Sequence, residues 1–331
     1  VLTRCGLLPV AKGNKYDESS VMPALYDVNN HNHPKEMEKC KKKVVQLLNF
    51  CYDFVEERYR SVFEREKYFI VSDRGTYAFI TLIGSLNTFL INKKELSRSS
   101  PPKERFESLE KYLDAVLQKI STLTKENEDK YLSLLGAGAD VKWLRFFQSI
   151  VNDKYSDYNP EDLIDWKERQ DGELQDSGRR FGEAIETHMK HVILDTLKLS
   201  YGEDWEVEIA SIKRECVKRA SEEQEKNYKD GLGNEEIEWT TKFTIMDYKK
   251  IIEQHWSKPR REEGDAFKYF QEVFAIDVGL GFNSKAEKIK WIAQFNKYRN
   301  LWAHKGTKEK GLNKDEVEFL KKVYDFFELN G

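Results

Sequence analysis

The stretch SKAEKIKWIAQFNKYRNLWAH, residues 284–304, decides the fold of the C-terminal part of the chain. Ser284 followed three residues later by Glu287 is a capping-box signature, and Gly306 stands where a helix commonly ends. The pattern predicts one amphipathic helix from about Lys285 to His304. Because a helix turns by about 100° per residue, four aromatic side chains share one stripe that we expect in a core: Trp291, Phe295, Tyr298 and Trp302.

Polar residues stand apart from that stripe near the end of the predicted helix. Asn300 and His304 fall on nearly the opposite side of it, and Arg299 lies on the flank. A guanidinium that can fork onto a phosphate, beside an imidazole that transfers protons near neutral pH, suits phosphodiester cleavage without a metal. A structural explanation stays open, because a histidine in the last turn, like Lys305 after it, also complements the helix dipole.

The rest of the C-terminal region repeats the helical spacing of apolar residues. Four such segments in fewer than 100 residues indicate an antiparallel helical bundle. They are residues 243–252, residues 267–274, the helix described above and residues 317–327. A densely charged stretch, residues 212–234, precedes them and predicts a domain boundary between residues 1–230 and residues 231–331.

The order Arg299-Asn300-x-x-x-His304 in a late helix of such a bundle resembles the signature of the HEPN superfamily. Many members carry an arginine, a polar residue that is often asparagine, three further residues and a histidine. The resemblance covers about residues 236–327 and is to HEPN modules at the C-terminus of multidomain prokaryotic defence proteins. It implies a mainly α-helical protein that ends in an antiparallel HEPN-type bundle.

The resemblance also implies an activity, a substrate and an assembly. HEPN nucleases cleave RNA without a metal or other cofactor, at a site that two paired domains form, and leave 2′,3′-cyclic phosphate ends. By this resemblance His304 activates the ribose 2′-hydroxyl or protonates the leaving oxygen, Arg299 holds the scissile phosphate and Asn300 orients one of them. We therefore expect an endoribonuclease in antiviral (phage) defence, with RNA and a second copy of the chain as partners and Lys305 as a further nucleic-acid contact.

Two alternatives remain open, because some HEPN domains have lost their activity. In the first, the bundle only dimerises, and the protein is a non-catalytic regulator that binds DNA or a defence partner. In the second, the domain is a toxin that a partner nucleotidyltransferase silences as its antitoxin.

Residues 1–230 are also predicted to be helical, with at most a short β element. Apolar residues at helical spacing follow Pro34, and Ser72 or Asp73 is placed to cap a helix after the β-like run 68–71. The run FIVSDRGTYAF, residues 69–79, with the long helix before it, resembles the rear part of DGQHR-domain (DndB-like) proteins, which are associated with DNA phosphorothioation and phage defence. The resemblance covers about residues 1–199. Their Asp-Gly-Gln-His-Arg motif is absent, so no functional residue is transferred. Arg74 is a candidate nucleic-acid contact, with local hydrogen bonding as the alternative.

Composition limits the remaining classes of function. The 331 residues have material for two cores, and a net charge of −3 creates no global positive field that attracts nucleic acid. No apolar run is long enough for a membrane span, and we expect a cytoplasmic protein. The chain opens on Val1, which suggests a fragment of a longer polypeptide. The four cysteines lack zinc-like spacing and are expected to be reduced thiols: Cys5, Cys40, Cys51 and Cys216.

One further group of residues has the spacing of metal ligands. His188, His191 and Asp195 share one face of a predicted helix over residues 180–199. A solvated helix face is the alternative, because no further ligand is recognisable nearby, and no metal is expected.

Overall fold

The computed structural model of the chain describes residues 1–12, 15–16, 25–27, 29–64, 70–132, 138–257, 270–303 and 311–329. The chain divides into two compact units, Val1–Lys167 and Glu168–Gly331. Helices dominate both units, which confirms the prediction of a mainly α-helical protein. Among the described residues, β structure is limited to an antiparallel pair of two-residue strands, Ala11–Lys12 and Lys15–Tyr16. In the β-like run 68–71, Ile70 and Val71 lie in a turn, and the first two residues lie outside the described ranges.

The first unit is built on long helices around one hydrophobic core. Its helices are α1 (His33–Arg58), α2 (Arg60–Phe63), α3 (Asp73–Asn92), α4 (Pro102–Ser121), α5 (Lys125–Leu132), α6 (Ala139–Lys154) and the first part of α7 (Leu163–Gln170). Helix α3 packs against α6 and α4, and α1 packs against α4. The predicted start signals are confirmed: Pro34 lies in the first turn of α1, and Ser72 Oγ accepts a hydrogen bond from Gly75 N–H at 3.1 Å to cap α3.

A buried arginine organises the predicted loop between α3 and α4. The guanidinium of Arg105 donates to the carbonyl oxygens of Ser97, Arg98 and Ser100 and to Asn87 Oδ1, at distances of 2.6 to 3.0 Å. Burial lowers the pKa of Arg105 to about 10. The hydrogen bonds from this buried cation to the carbonyl oxygens of the loop therefore fix the shape of the loop.

The second unit is arranged around one 30-residue helix. Its helices are the end of α7, α8 (Gly172–Tyr201), α9 (Trp205–Glu208), α10 (Ala210–Lys229), α11 (Ile245–His255), α12 (Phe270–Phe274), α13 (Lys285–Lys288), α14 (Lys290–Ala303) and α15 (Lys314–Leu329). Helix α8 packs against α15, α11 and α14. Its buried stripe follows helical spacing: Gly178, Gly182, Ile185, Met189, Ile193 and Leu197.

The division between the units differs from the boundary predicted near residue 230. Helix α8 lies in the second unit because its apolar stripe is buried against α14 and α15. Helix α10 also belongs there, since it buries Ile212, Cys216 and Ala220. The charged residues that suggested a linker lie on a helix with one buried face, and charge density alone does not distinguish the two.

The helix predicted over residues 285–304 is interrupted at Ile289. Its capping box is confirmed: Glu287 N–H donates to Ser284 Oγ at 3.3 Å, and Ser284 N–H donates to Glu287 Oε2 at 3.0 Å. The break has a packing reason, because Ile289 and Trp291 are both buried although residues two apart fall on different sides of a continuous helix. The aromatic stripe is confirmed, with Trp291 and Phe295 fully buried and Tyr298 and Trp302 partly buried.

Replacing Gly182 by alanine is expected to destabilise the second unit by about 1–3 kcal/mol, because the new Cβ would overlap the indole ring of Trp302. Gly172→Ala in the same helix is the matched control, since a Cβ there meets no atom within 4 Å, and we expect no loss of stability. Urea unfolding followed by tryptophan fluorescence measures both effects. Equal stabilities of the two variants would contradict the close contact.

The capping box of α11 is expected to make the second unit sensitive to acid. Asp247 Oδ2 accepts hydrogen bonds from Thr244 N–H at 3.0 Å and from Arg219 Nη1 at 2.6 Å. Burial raises the pKa of Asp247, but the donors Arg219 and Thr244 outweigh it, so that the pKa lies below its ordinary value of about 3.9. A carboxylate with a lowered pKa stabilises the fold above the unfolded value, and this contribution disappears as the pH falls through the folded value.

Asp247→Asn should therefore reduce stability near neutral pH and flatten the loss of stability between about pH 5 and pH 2. Denaturant unfolding across that range measures the difference between the two proteins. Parallel pH profiles would show that Asp247 does not contribute through its charge.

Candidate functional site

The residues predicted to form a site fall partly inside the described structure. Arg299 and Asn300 lie in the last part of α14. His304 and Lys305 lie outside the described residues. Arg74 lies in the first turn of α3, in the other unit, where it is partly buried and already takes part in an interaction. The structure thus gives geometry for the arginine and the asparagine of the motif.

Arg299 is held by a carboxylate on α8. Its Nε lies 3.2 Å from Glu186 Oε2, and its Nη2 lies 3.4 Å from Glu186 Oε1. This two-point fork fixes the plane of the guanidinium. About a third of each side chain is exposed, 34% for Arg299 and 32% for Glu186. Since a guanidinium has five N–H donors, the pair leaves Nη1 and one hydrogen of Nη2 for another acceptor.

Asn300 follows directly on the exposed side of α14. Neighbouring residues in a helix point about 100° apart, so that Asn300 and Arg299 do not face each other across one groove. Any joint action of the two side chains on one ligand needs further groups, such as the predicted His304 or a second copy of the chain.

Glu186 is the residue of this site that the sequence did not predict. It lies at the edge of the buried stripe of α8, directly after buried Ile185. Tyr248 on α11 is buried nearby, and its pKa is raised by burial first and by the charge of Glu186 second. The charge of the Arg299–Glu186 pair thus reaches a buried phenol on α11. The only sequence signal was an acidic residue beside an apolar stripe, which is common on helices.

The position of α14 relative to α8 depends on a close contact one turn from Glu186. The ring of Trp302 packs onto the backbone of α8 at Gly182, where a Cβ would overlap it. Tyr298, in turn, meets Phe319 of α15 edge to face, with ring centroids 5.3 Å apart. The helix end that carries Arg299 is thus anchored by aromatic contacts on both sides.

Of the two histidines with the spacing of metal ligands, His188 has a structural contact and His191 is exposed. His188 packs against Phe327 with ring centroids 4.6 Å apart, and its pKa is lowered by burial and then by His191. Within the described ranges, no group of three His, Cys, Asp or Glu residues is placed to hold a metal ion. The described helices also include none that is long and apolar enough to cross a membrane.

Comparisons with known proteins give no relative for this chain. No family model matches it, and no significant match exists among curated proteins or solved structures. The HEPN and DGQHR resemblances therefore rest on the residues quoted from the sequence.

Glu186→Gln is expected to reduce the free energy of unfolding by less than about 1 kcal/mol, because a partly exposed ion pair contributes little. Glu316→Gln is the comparison: its carboxylate forks onto Arg169, both side chains are more buried, and it also accepts from Asn313 N–H. We expect about 1–3 kcal/mol for that change, measured by urea unfolding. If Glu186→Gln reduced the free energy of unfolding more than Glu316→Gln, the ion pair between Glu186 and Arg299 would have a mainly structural role.

Proposed function

We propose that this chain is a metal-independent endoribonuclease of the HEPN type that acts as a dimer in prokaryotic antiviral defence. The observation that carries the proposal is the state of Arg299: a guanidinium fixed in orientation by Glu186, partly exposed, with donors left over. It stands at the position in the motif Arg299-Asn300-x-x-x-His304 where a phosphate-binding arginine is expected. The exposed Asn300 beside it adds a second polar group.

In the proposed reaction one imidazole of His304 removes the proton of a ribose 2′-hydroxyl. The 2′-oxygen attacks the adjacent phosphorus, the bond from phosphorus to the 5′-oxygen breaks, and a 2′,3′-cyclic phosphate forms. The imidazolium of the second copy returns a proton to the leaving 5′-oxygen. Arg299 donates to the non-bridging oxygens, where negative charge grows in the transition state.

Glu186 has two effects in this scheme. It holds the guanidinium plane in place before RNA arrives, which avoids the loss of side-chain entropy on binding. It also partly neutralises the charge of Arg299. A phosphate that binds the free N–H groups of Arg299 is therefore repelled by the nearby carboxylate of Glu186. In the proposed dimer, two Arg299 guanidinium groups, each with its own Glu186, would direct their remaining N–H groups at one phosphate.

The same ion pair favours the alternative function, a non-catalytic protein whose bundle only dimerises. An arginine that is already paired within its own chain has a structural role without any ligand. The two functions predict different effects of the same substitutions.

We expect the chain to cleave a labelled single-stranded RNA of mixed sequence in the presence of EDTA, and to leave its all-2′-deoxy counterpart intact. His304→Ala should lower the rate by about 100-fold or more, and Arg299→Ala by about 100- to 1,000-fold. Lys297→Ala is the matched control, because Lys297 is an exposed cation on the same helix and lies outside the motif. Its rate should stay close to that of the unsubstituted chain.

Product analysis and sedimentation separate the two functions. Cyclic phosphate ends, together with loss of cleavage in folded, dimeric His304→Ala, support the nuclease. A stable dimer that does not cleave RNA, or whose cleavage survives both substitutions, supports the binding protein.

A further inference from the structure

A cleft in the first unit has the size and lining of a small-molecule site. It lies between α3 and α6, and the loop of residues 157–161 and the turn at Arg4 and Cys5 close its sides. Its volume is about 520 Å³, within the range of about 300–1,000 Å³ that is usual for ligand pockets. All of its lining residues belong to the first unit.

Two hydrogen-bonded pairs of buried and partly buried polar side chains line the cleft. Arg145 Nη1 donates to Gln148 Oε1 at 3.0 Å, and Gln148 lies near enough to the hydroxyl of Tyr158 to lower the pKa of that group. That hydroxyl lies 2.8 Å from Ser85 Oγ of α3. Gln148 and Tyr158 are almost fully buried, with 3% and 1% of their surface exposed. Four residues from both helices and the loop are therefore held in fixed positions in the lining.

Arg145 is a cation that has no carboxylate partner in the described part of the structure. Its hydrogen-bond acceptor there is the neutral amide of Gln148, which leaves four of its five N–H groups for a ligand. Of the acids in the lining, Asp157 is exposed and binds Lys93 at 2.6 Å, and Glu161 is exposed at the rim. The strongest uncompensated charge inside the cleft is therefore positive.

Apolar side chains form another part of the lining. Leu144 of α6 and Phe89 of α3 both line the cleft and are partly exposed. Burial raises the pKa of Tyr158 to about 12, so that its hydroxyl stays protonated at neutral pH and remains a donor or acceptor without charge.

We propose that this cleft binds a phosphate-bearing ligand of nucleotide size, with the phosphate on the guanidinium of Arg145 and the organic part against Leu144 and Phe89. A guanidinium offers two parallel N–H groups that match two phosphate oxygens, and Arg4 at the rim is a second cation within the same lining. None of these residues belongs to the Arg299 site, so the proposed binding does not depend on whether the chain is a nuclease.

Isothermal titration calorimetry of the whole chain with adenosine 5′-monophosphate, inorganic phosphate and adenosine tests the proposal. We expect the monophosphate to bind most tightly, inorganic phosphate more weakly and adenosine weakest. Arg145→Gln should weaken monophosphate binding by about 10- to 100-fold. Lys142→Gln is the matched control: Lys142 is an exposed cation on the same helix outside the lining, and its loss should leave binding unchanged.

Arg145→Lys is a second variant that separates a loss of binding from a loss of folding. It keeps the positive charge but loses the two-point fork of the guanidinium, so it should weaken binding by a smaller factor than Arg145→Gln. Circular dichroism checks that each variant is folded. Equal affinities for the monophosphate and inorganic phosphate would overturn the nucleotide part and leave free phosphate as the ligand. Absence of binding by both anions, binding that Arg145→Gln leaves unchanged, or adenosine binding as tightly as its phosphate would overturn the proposal altogether.

Discussion

Burial of one face of α8 is the constraint on which the second unit depends. Along 30 residues this helix offers aliphatic side chains to α11, α14 and α15, and two glycines let those neighbours approach its backbone. At Gly178 the neighbour is Leu312, and at Gly182 it is the ring of Trp302. Close approach of this kind adds dispersion contacts and fixes the register of one helix against another. A side chain at either glycine would change the distance between helices and every contact that follows from it.

The candidate site is a consequence of that packing. Glu186 lies one helical turn beyond Gly182, and Arg299 lies one turn before Trp302, so that the contact between Gly182 and Trp302 brings the two charges within reach. The chain separates these residues by 113 positions. The orientation of the motif arginine is therefore set by a helix that the charge pattern had assigned to another domain.

Local signals in the sequence predicted local structure well. The caps at Ser72 and Ser284 and the aromatic stripe of α14 are confirmed, because each depends on residues within a few positions of one another. The break at Ile289, the membership of α8 in the second unit and the Glu186 partner of Arg299 escaped prediction, because they depend on contacts between distant segments. The sequence predicted the motif that contains Arg299, but it did not predict the carboxylate of Glu186 that pairs with this arginine.

Three arginines show how the surroundings of a guanidinium decide what it can bind. Arg105 is fully buried and surrounded by carbonyl oxygens, so its donors serve the loop between α3 and α4. Arg299 is compensated by a carboxylate, so that an incoming phosphate meets repulsion from Glu186. Arg145 has a neutral amide as its partner, so that an anion gains its full attraction without displacing a charge. By this reasoning, Arg145 offers an anion the less compensated positive charge of the two, because the charge of Arg299 is already paired with Glu186.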